Sequence, residues 1–187
     1  VTIKGNEKDL DQYEVRSRDG ELYIHTKSKL AKINRSTPRL TAYVTAPQVN
    51  EIDVSGACLL EMPQEVKQNS ALEIDGSGAV NVNIASMEVH ALTLDISGAG
   101  DVKLKQVKAK DHVDIGVSGA GEVAGSVEAN VVNVGLSGAG DVSLTVNCDN
   151  LVSNVSGAGD LTLKGKCRTF RKSKSGAASL HTNHLKV

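Results

Sequence analysis

From residue 51 onward, apolar and polar positions alternate in short stretches that recur about every twenty residues. Each unit contains the tripeptide Ser-Gly-Ala, which occurs seven times, at Ser55, Ser77, Ser97, Ser118, Ser137, Ser156 and Ser175. The steps between successive copies are 22, 20, 21, 19, 19 and 19 residues. A nearly constant period of this size is typical of a solenoid, in which similar units stack on one another.

Aligning the copies on their serine places apolar residues in columns. The column five residues after the serine contains Leu60, Val82, Val102, Val123, Val142, Leu161 and Leu180. Further apolar columns stand three and five residues before the serine and seven after it. Within each unit these positions differ by two, the period of a strand with one buried face. We therefore predict two short strands in each unit, with Ser-Gly-Ala as the bend between them.

Such small units bury their apolar faces only by stacking, which places equivalent positions about 4.8 Å apart. The sequence predicts an all-β protein, a single-stranded parallel β-helix of about seven rungs of 19–22 residues. We expect the right-handed form, because parallel crossovers are overwhelmingly right-handed. An antiparallel sandwich or β-prism made of hairpins is the alternative, and a single bend motif at nearly constant spacing argues against it. The insert Met62–Glu65 in the first unit is expected to bulge outward.

Residues 1–50 lack the repeat and are predicted to form a β meander that leads into the repeat region, 51–187, and caps its first rung. Alternating stretches predict three strands, at Thr2–Gly5, Glu21–Thr26 and Leu40–Thr45. Polar stretches predict the turns between them, at Asn6–Asp9 and Arg18–Gly20. Pro38 and Pro47 flank the third strand and suit its ends.

Composition excludes several classes of function. The formal net charge is −1 and the charges alternate in sign, which predicts no nucleic-acid partner and no preference for a membrane surface. No apolar run approaches the length of a transmembrane segment. The chain begins at Val1 without a methionine, which predicts a processed or trimmed chain, so the absence of a signal peptide says nothing about its compartment.

A run of basic residues near the C-terminus is the first candidate site. It contains Lys164, Lys166, Arg168, Arg171, Lys172 and Lys174, six basic residues within eleven positions. One interpretation is a docking patch for a polyanion such as an anionic glycan or lipopolysaccharide. The other is charge placed near the end of the solenoid to block edge-to-edge association, and the usual occurrence of charge runs on solvated surfaces favours it.

Two acidic columns are candidates for binding a cation such as Ca²⁺. One contains Asp101, Glu122, Asp141 and Asp160, and the other contains Asp53, Asp75 and Asp95. Aspartate next to glycine is also ordinary turn chemistry, and the nonapeptide of calcium-binding β-rolls is absent from the sequence, so we favour a structural role. His181 and His184 have no evident third ligand. The sequence therefore predicts no metal site and no cofactor.

The repeated serine raises the possibility of nucleophilic catalysis. No histidine recurs beside it, and seven equivalent serines cannot all be catalytic. Rungs of 19–22 residues also leave almost no length for the long loops from which polysaccharide-cleaving β-helices build their clefts. We predict that the protein is not an enzyme.

Two of the three cysteines fall in one column. Cys148 and Cys167 each lie eleven residues after the serine of their unit. Stacking places their Cα atoms about 4.8 Å apart, inside the range that a disulfide tolerates. From the residues alone, two alternatives remain: a disulfide between the two cysteines, or two reduced thiols that stack in the core. Cys58 is left over and is expected to be buried.

The pattern Ser-Gly-Ala-Gly-Asp-Val-x-Leu at Ser97 and Ser137, with the lead-in Leu40–Val49, resembles the head domain of the auto-transporter adhesins, the GIN-domain family of bacterial envelope proteins. The resemblance covers most of the chain, although the family usually has a further strand or two before the position of Val1. It implies a β-helix-like fold and export to the envelope, as a periplasmic, outer-membrane or cell-surface lipoprotein. It implies no established activity and no defined functional residues.

Two hypotheses of function follow. The first is a non-catalytic adhesin or surface scaffold of the cell envelope that binds a cell-surface glycan or an envelope protein through the surface of the rod. The second is a glycan-processing enzyme or ligand-binding protein with a cleft between residues 1–50 and the rod, lined by Tyr13, Tyr23, His25 or Tyr43. Regular exposed faces also make side-by-side homo-oligomers plausible.

Overall fold

The computed structural model of the chain describes residues 1–27 and 40–187. The chain divides into two compact units, Val1–Pro47 and Gln48–Val187. Pro38, predicted above to flank a strand, lies outside the described residues. Among the described residues, no helix is both long enough and apolar enough to cross a membrane.

The described residues of the first unit form two antiparallel sheets. Its elements are β1 (Thr2–Gly5), α1 (Glu7–Leu10), β2 (Tyr13–Arg18), β3 (Glu21–Thr26) and β4 (Leu40–Tyr43). Strand β1 pairs with β4, and β2 pairs with β3. Three of the four strands were predicted; β2 was missed. The predicted turn at Asn6–Asp9 overlaps the short helix α1, whose start is capped by the Asn6 side chain, which accepts a hydrogen bond from the backbone N–H of Asp9 at 2.9 Å.

The second unit is a parallel β-solenoid of about seven turns, as predicted. Its strands are β5 (Glu51–Lys67), β6 (Leu72–Val89), β7 (Leu92–Ala99), β8 (Asp101–Ala109), β9 (His112–Val117), β10 (Glu122–Leu136), β11 (Asp141–Gly157), β12 (Asp160–Gly176) and β13 (Ser179–Lys186). Every described pairing in this sheet is parallel and joins one turn, or rung, to the next. The predicted register is confirmed, because Ser55, Ser77 and Ser97 pair directly with one another.

The hydrophobic core runs along the inside of the rungs. All fully buried hydrophobic residues in the described chain lie between Leu72 and Ala178. One core column contains Ile74, Leu94, Ile115 and Val134, and its next member is Ser153, which is fully buried. Leucine and β-branched side chains fill such a pleated interior well, which explains their dominance in the columns.

The Ser-Gly-Ala tripeptide differs in one respect from its predicted role. Strands β5 and β6 continue through the first two copies instead of stopping there. Gly56 and Gly78 have φ angles of 86° and 101°, so the chain turns at these copies through a glycine with a positive φ. The glycines of the fourth and fifth copies, Gly119 and Gly138, do not have a positive φ, so conformational freedom is not what all copies share.

The shared requirement is close stacking of backbones. A Cβ atom on this glycine, in any copy from the second onward, would lie 1.9–2.6 Å from the carbonyl oxygen of the equivalent glycine one rung earlier. The positions concerned are Gly78, Gly98, Gly119, Gly138, Gly157 and Gly176. A second ladder, two residues later, has the same contact at Gly121, Gly140 and Gly159. Any side chain at these positions would therefore force the rungs apart.

Differences in rung length are absorbed outside the core. The register shifts between Met62 and Glu65, and Pro63 and Gln64 between them are exposed, which confirms the predicted bulge. Two further shifts occur near the same place in later rungs, one between Gly125 and Val127 and one between Thr162 and Lys164. At the first shift, Met62 and Val66 stay in register with Ile84 and Met87, so the core columns continue across it.

Candidate functional site

A groove of about 560 Å³ runs along the outside of the solenoid beside the bends. Its lining is Asp53, Val54, Ser55, Asp75, Gly76, Ser77, Asp95, Ile96, Ser97, Gly116, Val117, Ser118, Gly135, Leu136, Ser137, Asn154 and Ser156. Six rungs contribute to it, each with its bend serine. We call it the bend groove.

One wall of the bend groove is a ladder of serine hydroxyls. All six serines are exposed, and parallel pairing places neighbouring hydroxyls about 4.8 Å apart. The floor between the rungs is partly bare backbone, because glycine occupies the column two residues before the serine at Gly116 and Gly135. At Gly135 a Cβ atom would meet nothing closer than 3.9 Å, so the surface there is open. Each rung therefore presents the same hydroxyl beside an accessible surface.

Three carboxylates occupy the end of the groove formed by the first rungs. Asp53, Asp75 and Asp95 are register partners on successive strands. Partial burial raises the pKa of Asp75, and the neighbouring Asp53 and Asp95 carboxylates raise it further. The Asp95 side chain extends over Gly116, where a Cβ atom would lie 2.0 Å from Asp95 Oδ1. The aspartate column therefore ends at Gly116, because a side chain there would clash with the Asp95 carboxylate.

The other acidic column lies at the starts of strands, and one of its side chains bonds to the backbone of the next rung. Asp101, Glu122, Asp141 and Asp160 are aligned in register. The backbone N–H of Asp160 donates to Asp141 Oδ1 at 3.0 Å, and the backbone N–H of Asp101 donates to the side chain of Asn81 at 2.9 Å. These bonds satisfy backbone N–H donors at the places where the bend interrupts the hydrogen bonding between neighbouring strands. Within residues 1–27 and 40–187, no three His, Cys, Asp or Glu side chains are grouped to hold a metal ion.

The six basic residues all lie on β12 and are exposed, but they do not share one face. Lys164, Lys166 and Arg168 alternate with the buried Leu163 and Cys167, so they point outward. Arg168 Nη2 forms an ion pair with Asp149 Oδ1 at 3.2 Å.

The remaining members of the run divide between the two sides of the strand. Arg171 pairs in register with the half-buried Val152 on the outer side, whereas Lys172 and Lys174 continue the core columns of Ser153 and Val155. Both lysines are exposed, and charge on an edge strand is one way in which natural sheets keep an edge from pairing with another chain. This geometry favours edge protection as the role of Lys172 and Lys174.

The two aligned cysteines are register partners, Cys148 on β11 and Cys167 on β12. Both are free thiols in this structure, as is Cys58, which pairs in register with Val80. Burial raises the pKa of Cys148 to about 11, with smaller contributions from Cys167 and Asp149. The prediction of a disulfide between Cys148 and Cys167 stays a prediction.

Several other candidate residues are placed in the first unit or at the end of the chain. His25 Nε2 lies 3.0 Å from Glu14 Oε2 within the β2–β3 hairpin, and the ring of Tyr43 lies 5.0 Å from Lys4 Nζ. His184 faces Lys164 across the β12–β13 pair. These contacts account for the histidines and for Tyr43 as surface residues of sheets.

The bend groove was not recognised from the sequence as a site, although its signal was present. The serine column and the aspartate column two residues before it are both visible in the aligned repeats. They were interpreted as bend chemistry, because nothing in a linear pattern shows that successive bends leave a continuous depression on the outer surface.

Comparison with known families matches the whole chain. The family described as "Putative auto-transporter adhesin, head GIN domain" matches residues 1–126 and 106–187. The chain belongs to this family. The family resemblance seen in the repeats is thereby confirmed, and the description is that of an adhesin-like protein of the cell surface. No curated protein matches the sequence.

Proposed function

We propose that this GIN-domain protein is a non-catalytic adhesin or surface scaffold of the cell envelope that binds an extended glycan along the bend groove. The observation that carries the proposal is the repetition of one hydroxyl in the same position on six successive rungs. The adhesin-like description of the family supports the same function. We further propose that the protein is exported and acts as a periplasmic, outer-membrane or cell-surface lipoprotein.

The spacing of the groove favours a linear polysaccharide over an extended peptide. Six serines separated by five rung spacings extend over about 24 Å. Side chains on one face of an extended peptide repeat every ~6.8 Å, twice the rise of a strand, and do not match a ladder of ~4.8 Å. A chain of pyranose rings in an extended linkage advances by close to one rung per ring. Each ring then meets an equivalent serine hydroxyl.

The charge of the groove restricts the glycan. Its lining contains three carboxylates and no cationic side chain. A polyanion would meet like charge at the end occupied by Asp53, Asp75 and Asp95, and this repulsion is costly where solvent is partly excluded. The groove therefore suits an uncharged glycan, or one that bears amino groups, better than an anionic one.

The experiment is a glycan array probed with the purified protein at low and physiological salt, followed by calorimetry on any hit. Ser137→Trp places an indole in the groove, whereas the control Ser143→Trp places it at another exposed serine, on β11 outside the groove. We expect saturable binding that survives physiological salt, falls at least tenfold in Ser137→Trp and is unchanged in Ser143→Trp.

Other results would contradict the proposal. Equal loss of binding in both variants would place the glycan elsewhere on the rod. An array on which nothing binds would rule out a glycan as the ligand, and a pull-down from cell envelopes would then test for a protein partner. Turnover of an array glycan, with loss of activity on replacing Tyr13, Tyr23, His25 or Tyr43, would support the alternative of a glycan-processing enzyme.

A further inference from the structure

We propose that Cys148 and Cys167 are a redox-active pair that closes to a disulfide and covalently fastens β12 to β11. The proposal is independent of the ligand of the bend groove. Its basis is the pairing of the two residues in register on neighbouring parallel strands. Such partners have Cα atoms about 4.8 Å apart, within the range of 4.4–6.8 Å that disulfides occupy.

The surroundings of the two thiols differ from those of the third cysteine. Cys148 and Cys167 both pack against the hydrophobic core at one column position. Cys58 packs on the same core but pairs in register with Val80, so no other thiol is adjacent to it in the sheet. An intramolecular disulfide therefore has one possible pairing by register, and Cys58 provides a matched control.

Access to the pair is from the side of Cys148. This residue lines a polar depression of about 340 Å³ together with Lys110, Glu128, Asn130 and Asp149. Cys167 is only 7% exposed. A small disulfide such as oxidised glutathione therefore reaches Cys148 first, and Cys167 is placed to resolve the resulting mixed disulfide.

The exchange balances in two steps. The Cys148 thiolate attacks one sulfur of oxidised glutathione, forms a protein–glutathione disulfide and releases one glutathione thiolate. The Cys167 thiolate then attacks Cys148 Sγ, forms the protein disulfide and releases the second glutathione. The two cysteine protons pass to the released thiolates, and two electrons pass from the cysteines to oxidised glutathione.

The position of the bond gives it a mechanical consequence. The described pairing of β12 with β13 ends at Lys166, one residue before Cys167. Beyond that point the described residues supply β12 with a neighbour only on the β11 side. Strands held on one side open most readily, so a covalent bond placed where the described second neighbour ends suppresses fraying of β12.

The test uses the reduced, folded protein incubated with oxidised glutathione and then alkylated. We expect peptide mapping to give a linked pair of fragments that contain Cys148 and Cys167, with Cys58 alkylated or carrying glutathione. Cys58→Ser should form the same bond, whereas Cys167→Ser should stop with glutathione on Cys148. Because the pKa of Cys148 is about 11, the rate should rise about tenfold per pH unit between pH 7 and 9.

Hydrogen exchange and thermal unfolding of the wild-type protein test whether the disulfide fastens β12 to β11, and this test needs no variant to fold. Oxidation should slow exchange in the second half of β12 and raise the midpoint of unfolding by about 5–10 °C. The proposal is overturned if oxidised Cys58→Ser retains two alkylatable thiols or forms only intermolecular dimers. If the β12 amides of the oxidised protein exchange as fast as those of the reduced protein, the disulfide does not fasten β12 to β11.

Discussion

The backbone of Gly138 lies so close to that of Gly119 that a Cβ atom on Gly138 would be 2.1 Å from the Gly119 carbonyl oxygen. Real Cβ atoms do not approach a carbonyl oxygen this closely, so the contact fixes the residue type. The same contact recurs along the solenoid, and it explains why the tripeptide is repeated even where its glycine does not need a positive φ.

Replacing Gly138 tests this explanation directly. We expect Gly138→Ala to lower the free energy of unfolding by about 3 kcal/mol, because neighbouring rungs must separate to admit the methyl group. Gly135→Ala is the matched control, since its Cβ atom meets nothing within 3.9 Å. That change should stay within about 0.5 kcal/mol. Denaturant unfolding followed by circular dichroism measures both, and equal effects would refute the steric account.

The hydroxyl of Ser153 is a weakness in the core. The residue is fully buried, and its Oγ has no hydrogen-bond partner among the described residues. Because an unpaired buried hydroxyl is unfavourable, Ser153→Val should raise the free energy of unfolding by about 1 kcal/mol. The reciprocal change in the same column, Val134→Ser, should lower it by about 2 kcal/mol. A destabilised Ser153→Val protein would show that this hydroxyl is bonded after all.

Lys172 and Lys174 are expected to prevent association through the edge of β12. Replacing Lys172 and Lys174 together by leucine extends the apolar columns to a strand edge, and we expect concentration-dependent association in light scattering. Replacing Lys164 and Lys166 by leucine removes the same charge from outward positions, and this variant should remain a monomer. Association of both variants alike would indicate a general effect of net charge.

The same strand allows a test of polyanion binding. If the outward cations form a docking patch, neutralising Lys164, Lys166 and Arg168 should lower the salt concentration that elutes the protein from a heparin column. Neutralising Lys172 and Lys174 should have a smaller effect, because these residues continue core columns. Elution that is unchanged in both variants would leave edge protection as the only role of the run.

The titration of Asp75 reports on the carboxylates in the bend groove. Its folded pKa is raised above the ordinary value of 3.8, so the folded protein holds this proton more tightly than the unfolded chain. The stability that this carboxyl contributes is therefore lost as the pH rises from that value through the folded pKa. Asp75→Asn should be more stable than the wild type at neutral pH and no more stable well below pH 3.8.

Carbon NMR of the Asp75 carboxyl measures the shift itself. Asp95→Asn should move the Asp75 pKa back toward its ordinary value, because one neighbouring charge is removed. Asp19→Asn, in the first unit, is the control and should leave the Asp75 titration unchanged. A wild-type Asp75 that titrates at or below 3.8 would contradict the stacking of the three carboxylates.

The solenoid could be predicted from the sequence because each rung repeats the same register. The period of two within a rung and the fixed step between serines determine which residues stack, as in the pairing of Cys148 with Cys167. Strand β2 was missed because its alternation is weak, with Tyr13 and Val15 as its apolar residues, and it has no aligned copy to strengthen the pattern. The bend groove was missed for a different reason: concavity depends on how the chain turns in space at Ser97 and its equivalents.

The register shifts at one corner of the rungs let the outer surface of the protein change without a change in its core. The first rung has one residue more than the second here, and Pro63 and Gln64 are exposed while Met62 and Val66 stay aligned with the next rung. Insertions at that corner therefore leave the neighbouring turns undisturbed. In evolutionary terms, the corner is a permissive site at which a surface protein can vary its exposed sequence, or accept a grafted epitope, without redesigning its interior.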